Sequence, residues 1–378
     1  MRSPAHDKTL RLSEAQRLAW LRLIRSENVG PTTFRDLLNH TGSAEKALQL
    51  LPELSRRGGK KSYRLCTQDD AEAELEAHAR SGARLVALGE PEYPPHLRHI
   101  DGPPPLLSLK GGSVTARHKT LAIVGARNAS LSGRKLAAMF ARDLGNAEFV
   151  IASGLARGID AAAHEAALST GTVAVFAGGI DVLYPSDHDR LLAAILQTGG
   201  AVISEMPFGW KPRGRDFPRR NRLISGVSLG VIVIEAAKKS GSLHTARFAL
   251  EQNRDIFAVP GSPLDPRSDG ANSLIRQGAA LVTNAKDVLE DLGNRIEPVL
   301  PFDQDLNEPE KDLFSAAQEP DESLRARIIS ALGPTPVDLD ELIRFAAVPP
   351  RMVHIILLEL ELAGRLERHR GNKISLLL

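Results

Sequence analysis

From residue 120 onward the chain alternates between short, continuously apolar runs and longer amphipathic stretches. The runs are LAIVGA, FVIAS, TVAVFAGG, AVISE, LGVIVIEA, DIFAVPG and ALVTN. The stretches between them include SGRKLAAMFARDLG, GIDAAAHEAALSTG, HDRLLAAILQTGG, RRNRLISGVS, LHTARFALEQN, ANSLIRQGA and AKDVLEDLG. Runs rich in β-branched residues with no polar alternation suit strands covered by helices on both faces. The alternation therefore predicts an α/β fold with a doubly wound, mostly parallel sheet. In such a sheet, ligands meet the loops at the carboxyl ends of the strands.

The flanks read differently. Residues 1–80 are helical, with Leu18, Leu21, Leu23 and Ile24 on one face and a Gly turn, NVGPTT, before a second helix. Pro31 suits the first turn of that helix, where Thr32 and Thr33 supply hydroxyls. This predicts either a helix-hairpin-helix or sterile-alpha-motif-like domain or a plain helical cap. Residues 81–296 hold the sheet, with RLVAL and PLLSLK as further strands. Residues 297–320 are acidic, contain prolines and read as a linker. Residues 321–378 offer three helices, then RLERHR and KISLLL around a GN turn, which predicts a winged helix.

Composition narrows the chemistry. The net charge is only +2 over 378 residues, so any polyanion site must be a local patch. One cysteine, Cys66, excludes an internal disulfide and a cysteine-based zinc cluster. MRSPAHDKTLRLSE has no apolar core for a signal peptide, and no run of about 18 apolar residues occurs, so the expectation is a cytoplasmic chain without a membrane span.

Four strand-end segments carry candidate chemistry. IVGARNASLSGRK lacks the G-x-G-x-x-G spacing of a dinucleotide turn, and FVIAS ends in Ser153 rather than an acid for a ribose, so no cofactor is expected. The segment still sets Gly125, Arg127 and Ser130 at a helix start, which suits an anion or a simple tight turn with a solvated arginine. In SGLARGIDAAAH, Ser153 and Gly154 allow close backbone approach. Asp160 and His164 there share a helix face; with no third ligand they read as structural hydrogen-bonders rather than a metal or acid–base pair. Ser240, Gly241 and Ser242 form another anion turn with no nucleophile geometry. KPRGRDFPRRNR gathers Lys211, Arg213, Arg215, Arg219, Arg220 and Arg222 around Phe217. Cations with an interleaved ring suit single-stranded nucleic acid, unless Phe217 is a core residue in a solvated loop. No catalytic set is complete.

The same stretches resemble the DNA-processing protein A (DprA/Smf) family: IVGARNAS, IASGLARGIDAAAH, TVAVFAGGIDVLYP, ISEMPFG, FPRRNRLISGVS, SGSLHTARFALEQNRDIFAVPG and GANSLIRQGA follow in its order across about residues 84–290. The resemblance implies an extended Rossmann-like fold, single-stranded DNA binding, homodimerisation, and loading of the RecA recombinase during DNA uptake, with single-strand binding protein as a further partner. It implies that Arg127 and Phe217 lie in the DNA pocket, with Arg220, Asn221 and Arg222 completing the second motif, and that Leu274 and Ile275 face the dimer and RecA surface. Ala126 and Gly214 depart from the family pattern, which often has Ser and Lys there. The rival reading is a Rossmann-like nucleotide enzyme of the phosphoribohydrolase type, but the P-G-G-x-G-T-x-x-E stretch such enzymes carry is absent.

Overall fold

The computed structural model describes residues 11–117, 119–293, 320–369 and 371–377. The acidic stretch read as a linker lies, except for Pro320, outside the described residues. In chain order the elements are α1 (Glu14–Arg25), α2 (Pro31–Thr41), α3 (Ala44–Arg57), α4 (Gln68–Arg80), β1 (Ala83–Ala87), β2 (Leu106–Gly111), β3 (Thr120–Gly125), α5 (Leu131–Asn146), β4 (Val150–Ser153), α6 (Ile159–Ala166), β5 (Thr172–Val175), α7 (Asp189–Gln197) and β6 (Ala201–Ser204). There follow α8 (Asp216–Gly226), β7 (Gly230–Ile234), α9 (Ser242–Glu251), β8 (Asp255–Ala258), α10 (Asp269–Arg276), β9 (Ala280–Leu281), α11 (Ala285–Leu292), α12 (Glu322–Ala331), β10 (Val337–Asp338), α13 (Leu339–Ala346), α14 (Pro350–Leu362), β11 (Leu366–His369) and β12 (Lys373–Leu376). Among the described residues no helix is long and apolar enough to cross a membrane.

Contacts divide the chain into two units, one built on residues 74–293 and the other on residues 12–73 with 320–377. The first holds a nine-stranded sheet in the order β1-β2-β6-β5-β4-β3-β7-β8-β9. Strands β3 to β9 pair in parallel, while β1 and β2 join the β6 edge antiparallel. Each apolar run of the sequence has become one strand, and β7 is buried along its whole length as expected between two helical layers. One layer of core joins Leu121, Ile151 and Ile232 to Phe140 and Leu144 of α5 and Val288 of α11. Full burial of each such side chain stabilises by about 1.5–3 kcal/mol.

The second unit combines elements from the two ends of the chain. Ser13 caps α1 with a capping box completed by Gln16, and the Trp20 and Phe34 rings meet edge-on at 5.0 Å. Pro31 opens α2 as the sequence predicts, but the Thr33 hydroxyl leaves the helix start and donates to Glu361 at 3.0 Å. The winged helix has its own core of Leu324, Ile328, Leu342, Val353, Ile356, Leu357 and Ile374. Gly371 and Asn372 both have positive φ, the left-handed conformation that lets the chain reverse tightly between the paired His369 and Lys373.

Helix α14 is buried on two sides. Val353, Ile356, Leu357 and Leu360 enter the winged-helix core. Ile355, Leu358, Glu359 and Leu362, at helical spacing on another stripe, are also buried, and the helix packs against α2 and α3. Gly58 has no room for a Cβ because the Glu359 carbonyl lies against it.

Candidate nucleic-acid interface

The chain leaves β3 towards β4 on one side of the sheet and later returns to lay β7 against the other side of β3. This is a topological switch point, and the loops after β3 and β7 flank the crevice beyond it. Arg127 stands exposed on the loop after β3. Its guanidinium carbon lies 5.4 Å from the centre of the Phe217 ring, within cation–π range. Tyr184, beyond the β5 end, meets Phe217 edge-on at 5.1 Å and 62°, and is itself 51% exposed. Thus one arginine and two rings form a continuous half-open cluster.

Phe217 belongs to the first turn of α8, not to a loop. Pro218 is tolerated there because N–H groups of a first helical turn have no intrahelical partner. Ahead of the helix, Asp216 accepts from Trp210 Nε1 at 2.9 Å and from the Arg213 backbone N–H at 2.8 Å, which fixes the loop. Lys211, Arg213 and Arg215 are exposed on it, and Arg213 lies over the Trp210 ring at 4.8 Å.

Of the remaining arginines of KPRGRDFPRRNR, Arg220 and Arg222 are turned inward, away from the exposed cluster the sequence suggests, whereas Arg219 is paired but half exposed. Arg220 is buried and donates to the carbonyls of Gly154 (2.7 Å) and Val175. Burial pushes its pKa down to about 10, opposed by Asp160, and it stays cationic at neutral pH. Arg222 donates to Glu205 and to the Gly102 carbonyl at 3.0 Å, and Arg219 pairs with Glu205 at 3.0 Å. Asn221 ties α8 to the β7 loop through the Gly241 carbonyl at 3.1 Å. Gly154 admits the Arg220 guanidinium, which a Cβ there would meet at 2.5 Å.

Other expected contacts are also redirected inward. Ser153 is fully buried and donates to the Ile123 carbonyl at 2.6 Å. Gly125 closes against the Ile234 carbonyl and Ile159. Ser130 caps α5 through Gly133 N–H at 2.9 Å, but its own N–H (2.8 Å) and hydroxyl both donate to the Glu235 carboxylate. The anion turn after β3 therefore already contains an anion from the chain. Ser240 and Ser242 share a hydroxyl–hydroxyl hydrogen bond of 2.7 Å beside the exposed Gly241.

Asp160 and His164 do not meet. Asp160 accepts from the N–H groups of Gly154 (3.1 Å) and Ala156 (3.3 Å), and burial raises its pKa against the pull of Arg220. His164 lies 2.7 Å from the Thr172 hydroxyl, and burial, helped by Arg220, drives its pKa down to about 3, leaving a neutral ring. No group of three potential metal ligands occurs among the described residues. Tyr184, Trp210 and Glu235 escaped the sequence reading. Tyr184 and Trp210 lie in or next to stretches already singled out, and their signal was the scarcity of aromatics.

Leu274 and Ile275 are half-buried on α10, and Leu274 lines a groove of about 550 Å³ with Leu243, Leu250 and Phe257.

Comparison with known proteins covers all of these segments. The family described as DNA recombination-mediator protein A matches residues 84–293, a DprA-like N-terminal HHH domain matches residues 14–77, and a DprA winged helix domain matches residues 313–372. Protein Smf of Escherichia coli is 40% identical over 294 residues, covering 77% of each chain. DNA processing protein DprA of Streptococcus pneumoniae is 46% identical over 201 residues, covering 53% of this chain and 71% of the relative. The solved structure of DprA from that species has a TM-score of 0.60 at 35% identity, covering 75% of this chain and 99% of its own. A DprA structure from Helicobacter pylori, solved to describe its single-stranded DNA binding mode, has a TM-score of 0.51 at 28% identity, covering 56% and 95%.

Proposed function

Because the chain belongs to the DprA/Smf family, we propose that it binds single-stranded DNA at the carboxyl edge of its Rossmann-like sheet and passes the strand to RecA, without catalysing a reaction. The observation that carries this reading is the Arg127–Phe217–Tyr184 cluster, flanked by exposed Lys211, Arg213 and Arg215. Exposed rings offer faces on which unpaired bases stack whatever their sequence, and the cations meet phosphates spaced along a strand. The H. pylori relative described by its single-stranded DNA binding mode supports the choice of ligand. In this reading Ser153, Arg220 and Arg222 act from behind, holding the loops that present the cluster.

The deciding variant is Phe217→Ala. It is expected to lower single-strand affinity by about 1–3 kcal/mol. Its half-buried ring sits at the surface, so folding stability should fall by less than the roughly 3–5 kcal/mol lost when a core Phe is truncated. Melting temperature and affinity measured on one preparation separate the two. A large melting drop with affinity retained in the folded fraction would reassign Phe217 to the core.

Homodimerisation and the RecA surface are assigned to the face of α10 bearing Leu274 and Ile275, in a chain that works in the cytoplasm. The apolar groove beside Leu274 supports an interface core there. Replacing both residues with Glu should halve the mass seen in light scattering, whereas an unchanged mass would remove this face from the account.

A further inference from the structure

A doubly wound sheet holds nucleotide phosphates at the helix start that follows its first parallel strand, where free N–H groups converge. In this chain that helix is α5, and the donors at its start are the Ser130 N–H and hydroxyl and the N–H groups of Leu131, Ser132 and Gly133. Those of Ser130 and Gly133 are engaged within the chain. The Gly133 N–H goes to the Ser130 hydroxyl oxygen at 2.9 Å. The Ser130 N–H and hydroxyl go to separate oxygens of one carboxylate, that of Glu235.

Two independent features show that this carboxylate is built in. Glu235 sits at the end of β7 with φ of 50°, a left-handed conformation that few residues other than glycine adopt, and it is this turn that carries the side chain from β7 to α5. Gly133 leaves the matching space: a Cβ there would lie 2.5 Å from the Glu235 carboxyl carbon and 2.7 Å from each of its oxygens. A side chain at residue 133 or an incoming phosphate would claim the volume that Glu235 fills.

We infer that Glu235 is a resident anion that closes the phosphate seat of the fold and makes the site reject free nucleotides. The seat is filled by a like charge, so a mononucleotide or dinucleotide phosphate meets repulsion where a nucleotide-binding relative of this fold offers donors. Phosphates of a strand are left to the rim, to Arg127 and the exposed cations of residues 211–215. Only that last clause rests on the strand-binding reading; the closed seat stands without it.

Opening the seat tests this. In the full chain, Glu235→Gly removes the carboxylate and tolerates the positive φ; Glu235→Asn also tolerates it and is too short to reach Ser130. Binding of AMP and of single-stranded DNA is measured for wild type and both variants by calorimetry. Wild type is expected to show no saturable AMP binding, and at least one folded variant to bind AMP about tenfold or more above the wild-type limit, the scale of a single relieved like-charge contact. AMP binding by wild type equal to that of the variants, or no gain in either folded variant, would overturn the closed seat. A gain for AMP with no DNA binding by any of the three proteins would keep the closed seat and refute the strand reading. DNA binding with no AMP gain would do the reverse.

Discussion

The switch-point edge of the sheet and the winged helix each combine a helix with nearby arginines. The arginines packed against each helix have different fates, although Arg344 and Arg351 of the winged helix are exposed. At the sheet edge, Arg127, Lys211, Arg213 and Arg215 are exposed, and none forms an ion pair among the described residues. In the winged-helix unit, Arg325 makes two 2.8 Å hydrogen bonds to the buried carboxylate of Glu359. Arg368 bridges Glu361 (3.0 Å) and Asp36 (2.9 Å), and Arg365 donates to the Gly58 carbonyl at 3.0 Å. The helix that a winged helix would lay in a major groove, α14, has two stripes buried and is held to α2 and α3. Basic residues counted along a sequence thus say little about available charge, because a buried guanidinium facing a carboxylate is part of the scaffold.

The largest effect that tests this contrast is on stability. Arg325→Met removes the bidentate partner of Glu359, 1% exposed, and leaves the Arg57 guanidinium 3.9 Å from it. Breaking a buried pair costs about 3–5 kcal/mol, less what Arg57 retains. Urea unfolding should show that loss, while the folded fraction binds single-stranded DNA as wild type does. A DNA defect in the folded fraction would break the contrast. The next effect is electrostatic. With Arg127, Lys211, Arg213 and Arg215 each neutralising one phosphate, log affinity should fall with log salt at a slope of about −2.8, from about −0.7 per contact for single strands. Replacing Lys211, Arg213 and Arg215 with Ala should reduce this slope to about −0.7. If the slope stays near −2.8, the strand lies elsewhere.

The frame of the molecule was readable wherever one residue pattern had one structural solution. LGVIVIEA becomes β7 because a run apolar on both alternating faces fits only a strand covered twice. GN becomes a hairpin turn because both positions need positive φ. The site was less readable, since accessibility depends on partners distant in sequence. Arg219 and Arg222 look free in FPRRNR, but Glu205 of the ISEMPFG stretch lies against both. Ser130 looks like a phosphate ligand until β7 brings Glu235 across 105 residues to it. The packing of the N-terminal helices with the winged helix was equally hidden, because it depends on Thr33, Asp36 and Gly58 meeting residues some 300 positions later.

The central claim is that the open cations of the switch-point edge bind an unpaired strand. Binding of single-stranded and double-stranded DNA of equal length, by wild type and Arg127→Ala across a salt series, tests it most directly. Wild type is expected to bind the single strand more tightly, and Arg127→Ala to show a weaker single-strand affinity with a slope smaller by about 0.7. Equal affinity for the two DNAs, with affinity and slope unmoved by Arg127→Ala, would contradict it.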